Sequence, residues 1–190
     1  MNIDIELFHE FESGKTKSPT LRFYSWSNPC ISLGYSQDPD KELFLDKCRE
    51  QGIEVVKRPT GGGIVFHNEY ELTYSLICNK DDTRLPKGLI GSYMALSKVI
   101  IESLRSLNVP AENTNSRHNR QARLCFSFPA SYEIVLKGHK IVGSAQKRGK
   151  NALLQQGSIF IRSIEYIMGE NIDRKALIKH LSTGFTSLLS

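Results

Sequence analysis

Apolar and polar positions alternate with a period of two in several short runs of this chain and with a period of three to four in longer ones. In residues 71–78, ELTYSLIC, Leu72, Tyr74 and Leu76 fall on one side, with Thr73, Ser75 and Ile77 on the other. Such alternation predicts a strand buried on one face. Residues 131–146, SYEIVLKGHKIVGSAQ, read as a hairpin turning at Lys137-Gly138. Further strands are expected at 20–26 and 30–36, around a turn at Asn28-Pro29, and at 53–58 and 152–161. The three-to-four period appears in GSYMALSKVIIESLRSLNVP, where Tyr93, Leu96, Ile100, Leu104 and Leu107 predict a helix ending before Pro110. Residues 40–51 read as a helix capped by Asp40 and stopped by Gly52, and residues 173–189 as a C-terminal helix interrupted near Gly184. Strands outnumber helices without alternating one-for-one with them. The expectation is an α+β fold with a mixed, mostly antiparallel sheet packed with helices, over 1–190 as one domain.

One stretch breaks the pattern. RPTGGGIVFH, from Arg58 to His67, puts Thr60-Gly61-Gly62-Gly63 between two strands. Glycine weakens strands, so three in a row mean either a turn or a backbone that must lie against something. No helix follows directly, which excludes the Walker and dinucleotide-binding patterns.

Composition narrows the class. The 190 residues are 39% hydrophobic and 24% charged, with a net charge of +5, as in a soluble globular protein. No apolar run approaches the ~20 residues of a membrane span. The acidic start MNIDIELFHEFESGK lacks a charged-then-apolar leader, so an intracellular setting is expected. The positive charge permits nucleic acid and equally suits an acidic protein partner. Cys30, Cys48, Cys78 and Cys125 are scattered without zinc-ligand spacing, so no structural metal or disulfide is expected, and the default for each is a small buried hydrophobe.

KRPTGGGIVFHNEYELTYSL resembles the signature of the lipoate–protein ligase and octanoyltransferase superfamily, distant relatives of biotin–protein ligases. GHKIVGSAQKR followed by LLQQGSIFI is similar to that family's second signature, and ISLGYSQDP (31–39) to a third. The three blocks come in the family's order and cover most of the chain.

The resemblance implies a biotin/lipoate protein ligase-like catalytic domain with a central mixed sheet. It implies that the glycine loop walls a tunnel for an eight-carbon acyl chain. It also implies substrate-binding roles for Arg58, Thr60, Gly61, Gly62, Gly63 and His67, and for Gly143, Ser144, Ala145, Gly157 and Ser158. Lys140 would reach the acyl carbonyl, where an ammonium stabilises developing oxygen charge. The segment RLCFSFPASYEIVLKGHK is similar to cysteine-dependent octanoyltransferases of the Gram-positive type, with Cys125 as nucleophile. Arg117, Arg120 and Arg123 precede it, and cationic neighbours favour the thiolate.

The expected reaction takes octanoate from octanoyl-acyl carrier protein to Cys125, then to a lysine of a lipoyl-domain protein. Such acceptors include the glycine cleavage H protein and the 2-oxoacid dehydrogenase E2 component. No cofactor, metal, nucleic acid or membrane is expected, and the setting expected is the cytoplasm. The alternatives are an ATP-dependent lipoate ligase, an acyl transferase between lipoyl-domain proteins, and a non-catalytic acyl- or protein-binding relative. Two positions depart from the family pattern: Asn68, where many relatives have aspartate, and Gln156, where many have histidine.

Overall fold

The computed structural model describes residues 1–114 and 132–190. In chain order its elements are α1 (Asn2–Glu12), β1 (Thr20–Tyr24), β2 (Cys30–Leu33), α2 (Pro39–Glu42), α3 (Leu45–Glu50), β3 (Glu54–Lys57), β4 (Val65–His67) and β5 (Glu71–Asn79). There follow α4 (Gly88–Arg105), β6 (Glu112–Asn113), β7 (Ile134–Leu136), β8 (His139–Arg148), β9 (Ala152–Phe160), α5 (Ile161–Met168) and α6 (Arg174–Leu189).

The strands form two sheets. The larger runs β1-β5-β9-β8-β7-β6, and every pair in it is antiparallel. The smaller runs β3-β2-β4, with β2 parallel to β3 and antiparallel to β4. The expected α+β class and mixed, mostly antiparallel pairing are what the molecule has. The two strands around Asn28-Pro29 do not pair: β1 joins the large sheet and β2 the small one. That step between sheets opens the space in which the candidate site lies.

The turn at Lys137-Gly138 has positive φ at both residues, 49° and 81°. This is the twist-matched two-residue turn, in which glycine carries the second left-handed position without strain.

The even-numbered side chains of β5, Leu72, Tyr74, Leu76 and Cys78, enter the main core with Leu96, Ile100 and Leu104 of α4 and Leu177, Leu181 and Phe185 of α6. Alternation alone would leave the opposite face solvated, yet Glu71, Thr73, Ser75 and Ile77 are buried too. Ile77 packs with Phe8 and Phe11 of α1 and with Ala152 and Leu154. Of the three polar residues beside it, Thr73 lines the candidate site, donating to Glu71, while Ser75 donates to Asp4 of α1.

Helix α1 is an element the sequence reading lacks. Its buried residues, Asp4, Phe8 and Phe11, fall at helical spacing on one face. The helix expected at 40–51 is two short ones. Asp38, not Asp40, caps the first, its carboxylate accepting from the Asp40 N–H. Gly52 does follow the second, at φ 64°. Strand β9 ends at Phe160 and α5 starts at once, a helix the apolar run concealed. Helix α6 runs unbroken through Gly184, capped by Asp173. A β-carbon at Gly184 would lie 2.7 Å from Val99 Cγ1, so this glycine serves the close approach of α6 to α4.

Candidate active site

A cavity, partly open to solvent, lies between the two sheets. Its walls come from β1, β2, β4, β5, β8 and β9, the glycine loop, and Met1.

The glycine loop is held from within by one side chain. Arg58, 7% exposed, donates from Nη2 to the carbonyls of Gly61 (2.9 Å) and Gly63 (2.6 Å). Its Nη1 donates to the Ser32 carbonyl (3.0 Å) and to Ser32 Oγ (3.1 Å). A guanidinium has five donors in a fixed fork, so it can bind several loop carbonyls and β2 together. Among the three glycines only Gly62, at φ 93°, lines the cavity. Gly61 and Gly63 shape the loop by giving their carbonyls to Arg58.

Thr60, fully buried, donates from its hydroxyl to Gln156 Oε1 (3.0 Å), and Gln156 Nε2 donates to Asp4 Oδ2 (2.7 Å). Asp4 also accepts from Arg22, from Tyr24 Oη (3.0 Å) and from Ser75 Oγ (2.7 Å). Gln156 thus ties the loop to α1.

His67 ends β4, 7% exposed, stacked on Trp26 with ring centroids 4.2 Å apart. Its Nε2 lies 2.6 Å from Ser32 Oγ and its Nδ1 2.6 Å from Glu71 Oε1. Glu71 Oε1 also accepts from Thr73 Oγ1 (2.9 Å) and Ser158 Oγ (3.0 Å). The carboxylate beside His67 is therefore Glu71; Asn68 turns its Oδ1 to the Tyr70 N–H at 2.9 Å.

Lys140 projects from β8 into the cavity wall with its side chain 3% exposed, its ammonium paired with the Glu133 carboxylate. Gly143, Ser144 and Ala145 of β8 and Gly157 and Ser158 of β9 complete that wall. A β-carbon on Gly157 would meet Tyr74 Cε1 at 2.4 Å and Ser144 Oγ at 2.6 Å. Behind it the Tyr74 hydroxyl meets Ser144 Oγ at 2.8 Å and accepts from Gln155 Nε2 at 2.9 Å. Burial raises that phenol to about 12.

The structure thus gathers Arg58, Thr60, Gly62, His67, Lys140, Gly143, Ser144, Ala145, Gly157 and Ser158 around one cavity. Cys125 lies outside the described residues. Of the other cysteines, Cys30 and Cys78 are buried as expected, whereas Cys48 is half-buried against the small sheet's core. Sequence reasoning missed Trp26, Ser32, Glu71, Thr73 and Glu133. The available signal was Glu71-Thr73-Ser75, three polar residues on one face of a strand between Leu72, Tyr74 and Leu76. Among the described residues, no three His, Cys, Asp or Glu side chains cluster as a metal site would need. No described helix is long and apolar enough to cross a membrane.

A cavity between a large antiparallel sheet and a small mixed one, with a buried lysine in its wall, defines a class of catalytic domain. The chain belongs to the lipoyl protein ligase A/B catalytic domain family, which matches residues 1–183. It is 42% identical over 165 residues to the octanoyltransferase LipM of Moorella thermoacetica, covering 85% of this chain and 60% of that protein. It is 40% identical over 166 residues to the octanoyltransferase LipM of Clostridioides difficile, with the same coverage. The chain thus spans about three-fifths of the length of these curated relatives. A lipoate-protein ligase A crystallised with ATP shares the fold, with a TM-score of 0.77 at 22% identity, over 98% of this chain and 78% of that one. So does Ta0514 of T. acidophilum, a putative lipoate protein ligase with bound lipoic acid. Its TM-score is 0.74 at 22% identity, over 98% and 81% of the two chains.

Proposed function

We propose that this chain moves an octanoyl group from octanoyl-acyl carrier protein, through a thioester on Cys125, to a lysine of a lipoyl-domain protein in the cytoplasm. The acceptor is a protein such as the glycine cleavage H protein or a 2-oxoacid dehydrogenase E2 component. The observation that carries the reading is the buried Lys140 ammonium in the wall of the cavity that Gly62 also lines. The curated octanoyltransferases about 40% identical to the chain support it.

The Cys125 thiolate attacks the donor thioester, the carrier leaves as its thiol or thiolate, and the octanoyl group becomes a thioester on the enzyme. The acceptor amine then attacks that carbonyl, the C–S bond breaks and an amide forms. In each half Lys140 faces the oxygen on which negative charge grows, so Lys140→Ala should slow both halves by about 10²–10³. Gly62 keeps the acyl channel open by having no side chain there.

The test is intact mass spectrometry after mixing the protein with octanoyl-acyl carrier protein and no ATP. One octanoyl group, removable by hydroxylamine and missing from Cys125→Ala, is expected. An unmodified protein that acylates a lipoyl domain only with free octanoate, ATP and magnesium would make it a ligase and overturn the reading.

A further inference from the structure

The geometry points to Glu71 as a positioning residue for His67: it holds the imidazole with its proton on Nδ1 and leaves Nε2 free to accept a proton, through Ser32, from the acceptor amine during amide formation. This rests on the octanoyl-transfer reading for the identity of the amine. The tautomer itself does not depend on that reading.

The hydrogen placement follows from the partners. Arg58 is donor-only, and its Nη1 lies 3.1 Å from Ser32 Oγ. That bond takes one lone pair of Ser32; the Glu71 carboxylate, which only accepts, draws the ring proton to Nδ1, so the Ser32 proton points to His67 Nε2 at 2.6 Å. With Nε2 accepting, the neutral ring carries its proton on Nδ1, directed at Glu71 Oε1 at 2.6 Å. Trp26 Nε1 donates to Thr73 Oγ1 at 2.9 Å, which sends the Thr73 proton to Glu71 Oε1 as well. Arg58, Ser32, His67 and Glu71 therefore form a chain in which every donor has one direction.

The ring is held at both nitrogens and on one face. Trp26 covers one face, with 19° between the planes. Glu71 is fixed by Thr73 on its own strand and by Ser158 on β9. Its second oxygen, Oε2, is buried without a hydrogen-bond partner among the described residues. Ser32 and His67 line the same cavity as Lys140.

In the amide-forming step the acceptor lysine enters as the neutral amine. Its nitrogen bonds to the thioester carbonyl, and one N–H proton passes to Ser32 Oγ as the Ser32 proton passes to His67 Nε2. The C–S bond breaks with its electron pair on sulfur. The products are the amide, the Cys125 thiolate and an imidazolium paired with Glu71, so charge and protons balance. Acylation of Cys125 by the donor, exchanging one thioester for another, requires no amine proton to be removed.

Two measurements test this on the whole chain. Long-range ¹H–¹⁵N spectra of His67 in its neutral form should give the Nδ1-protonated pattern; an Nε2-protonated ring overturns the assignment whether or not the protein transfers octanoate. Single-turnover kinetics then separate the halves. Glu71→Gln and Ser32→Ala should slow transfer from preformed octanoyl-enzyme to a lipoyl domain at least about tenfold, a part of the roughly 10²–10⁴ a positioned proton acceptor contributes. Both should slow this transfer at least about tenfold more than they slow acylation by the donor, as a proton-acceptor role confined to aminolysis requires. Equal slowing of both halves, or of neither, overturns the role. Failure of the wild type to form the acyl-enzyme refutes the octanoyltransferase reading instead and leaves the tautomer measurement to decide the positioning role of Glu71.

Discussion

Gly34 and Gly62 meet backbone to backbone: a β-carbon on Gly34 would lie 1.9 Å from the Gly62 carbonyl oxygen. Gly34 follows β2, and its partner is the glycine that walls the cavity. The triplet is thus neither a simple turn nor three equal contacts with a ligand. One glycine lines the cavity at positive φ, its neighbours feed their carbonyls to Arg58, and a fourth glycine from another block of sequence makes room for it.

Gly34→Ala should displace the loop, lowering both stability and acyl uptake. Gly62→Val adds a branched side chain at φ 93° and should cost about 1–3 kcal/mol in backbone strain alone, besides narrowing the channel. A β-carbon on Gly61 would meet no atom within 4 Å, and the φ of this residue is not positive. Gly61→Ala should therefore stay within about 0.5 kcal/mol of wild type. Urea midpoints and octanoyl uptake by mass spectrometry check all three. Full uptake by Gly62→Val, with its fold intact, would deny the loop its part in binding.

Cys30 and Cys78 should be inert in the folded protein. Burial first, and nearby carboxylates second, push the Cys30 thiol up to about 11 and the Cys78 thiol up to about 12. At neutral pH about one Cys30 in ten thousand is then a thiolate, the form that reacts. Iodoacetamide should leave both unlabelled in the native state and label both in urea. Cys30→Ala and Cys78→Ala should retain octanoyl uptake. Native labelling of either at the rate of a free thiol would contradict the burial described.

Glu12 carries a pH dependence. Burial opposes its charge, but the backbone N–H groups of Ala152, Asn151 and Lys150, with help from Lys80, outweigh this and hold the carboxyl below its ordinary 4.5. A folded-state pKa below the unfolded value stabilises the fold above about pH 4.5, and the gain is lost as pH falls through the folded value. Glu12→Gln should therefore be less stable than wild type at pH 7, and the gap should shrink steadily towards pH 3. Urea midpoints across that range measure it; a gap that is constant with pH would mean the clamp works without its charge.

The sequence by itself determined the α+β class, the antiparallel hairpin at Lys137-Gly138, the buried stripe of α4, and ten of the residues that meet around the cavity. These were readable because each rests on local periodicity, on turn chemistry, or on motif blocks that keep their spacing along the chain. The parting of β1 and β2 into separate sheets was decided only by tertiary structure. So was the burial of Glu71, Thr73 and Ser75, because a strand's polar face looks the same in sequence whether water or another element of the fold covers it. The joining of Ser32, His67 and Glu71 belongs there too. His67 and Ser32 meet through the pairing of β2 with β4, Glu71 arrives from the start of β5, and Ser158 from a strand 87 positions further on. Side-chain partners so far apart are fixed by sheet register and by the cost of burying a polar group unpaired, and neither is written in any single stretch of the chain.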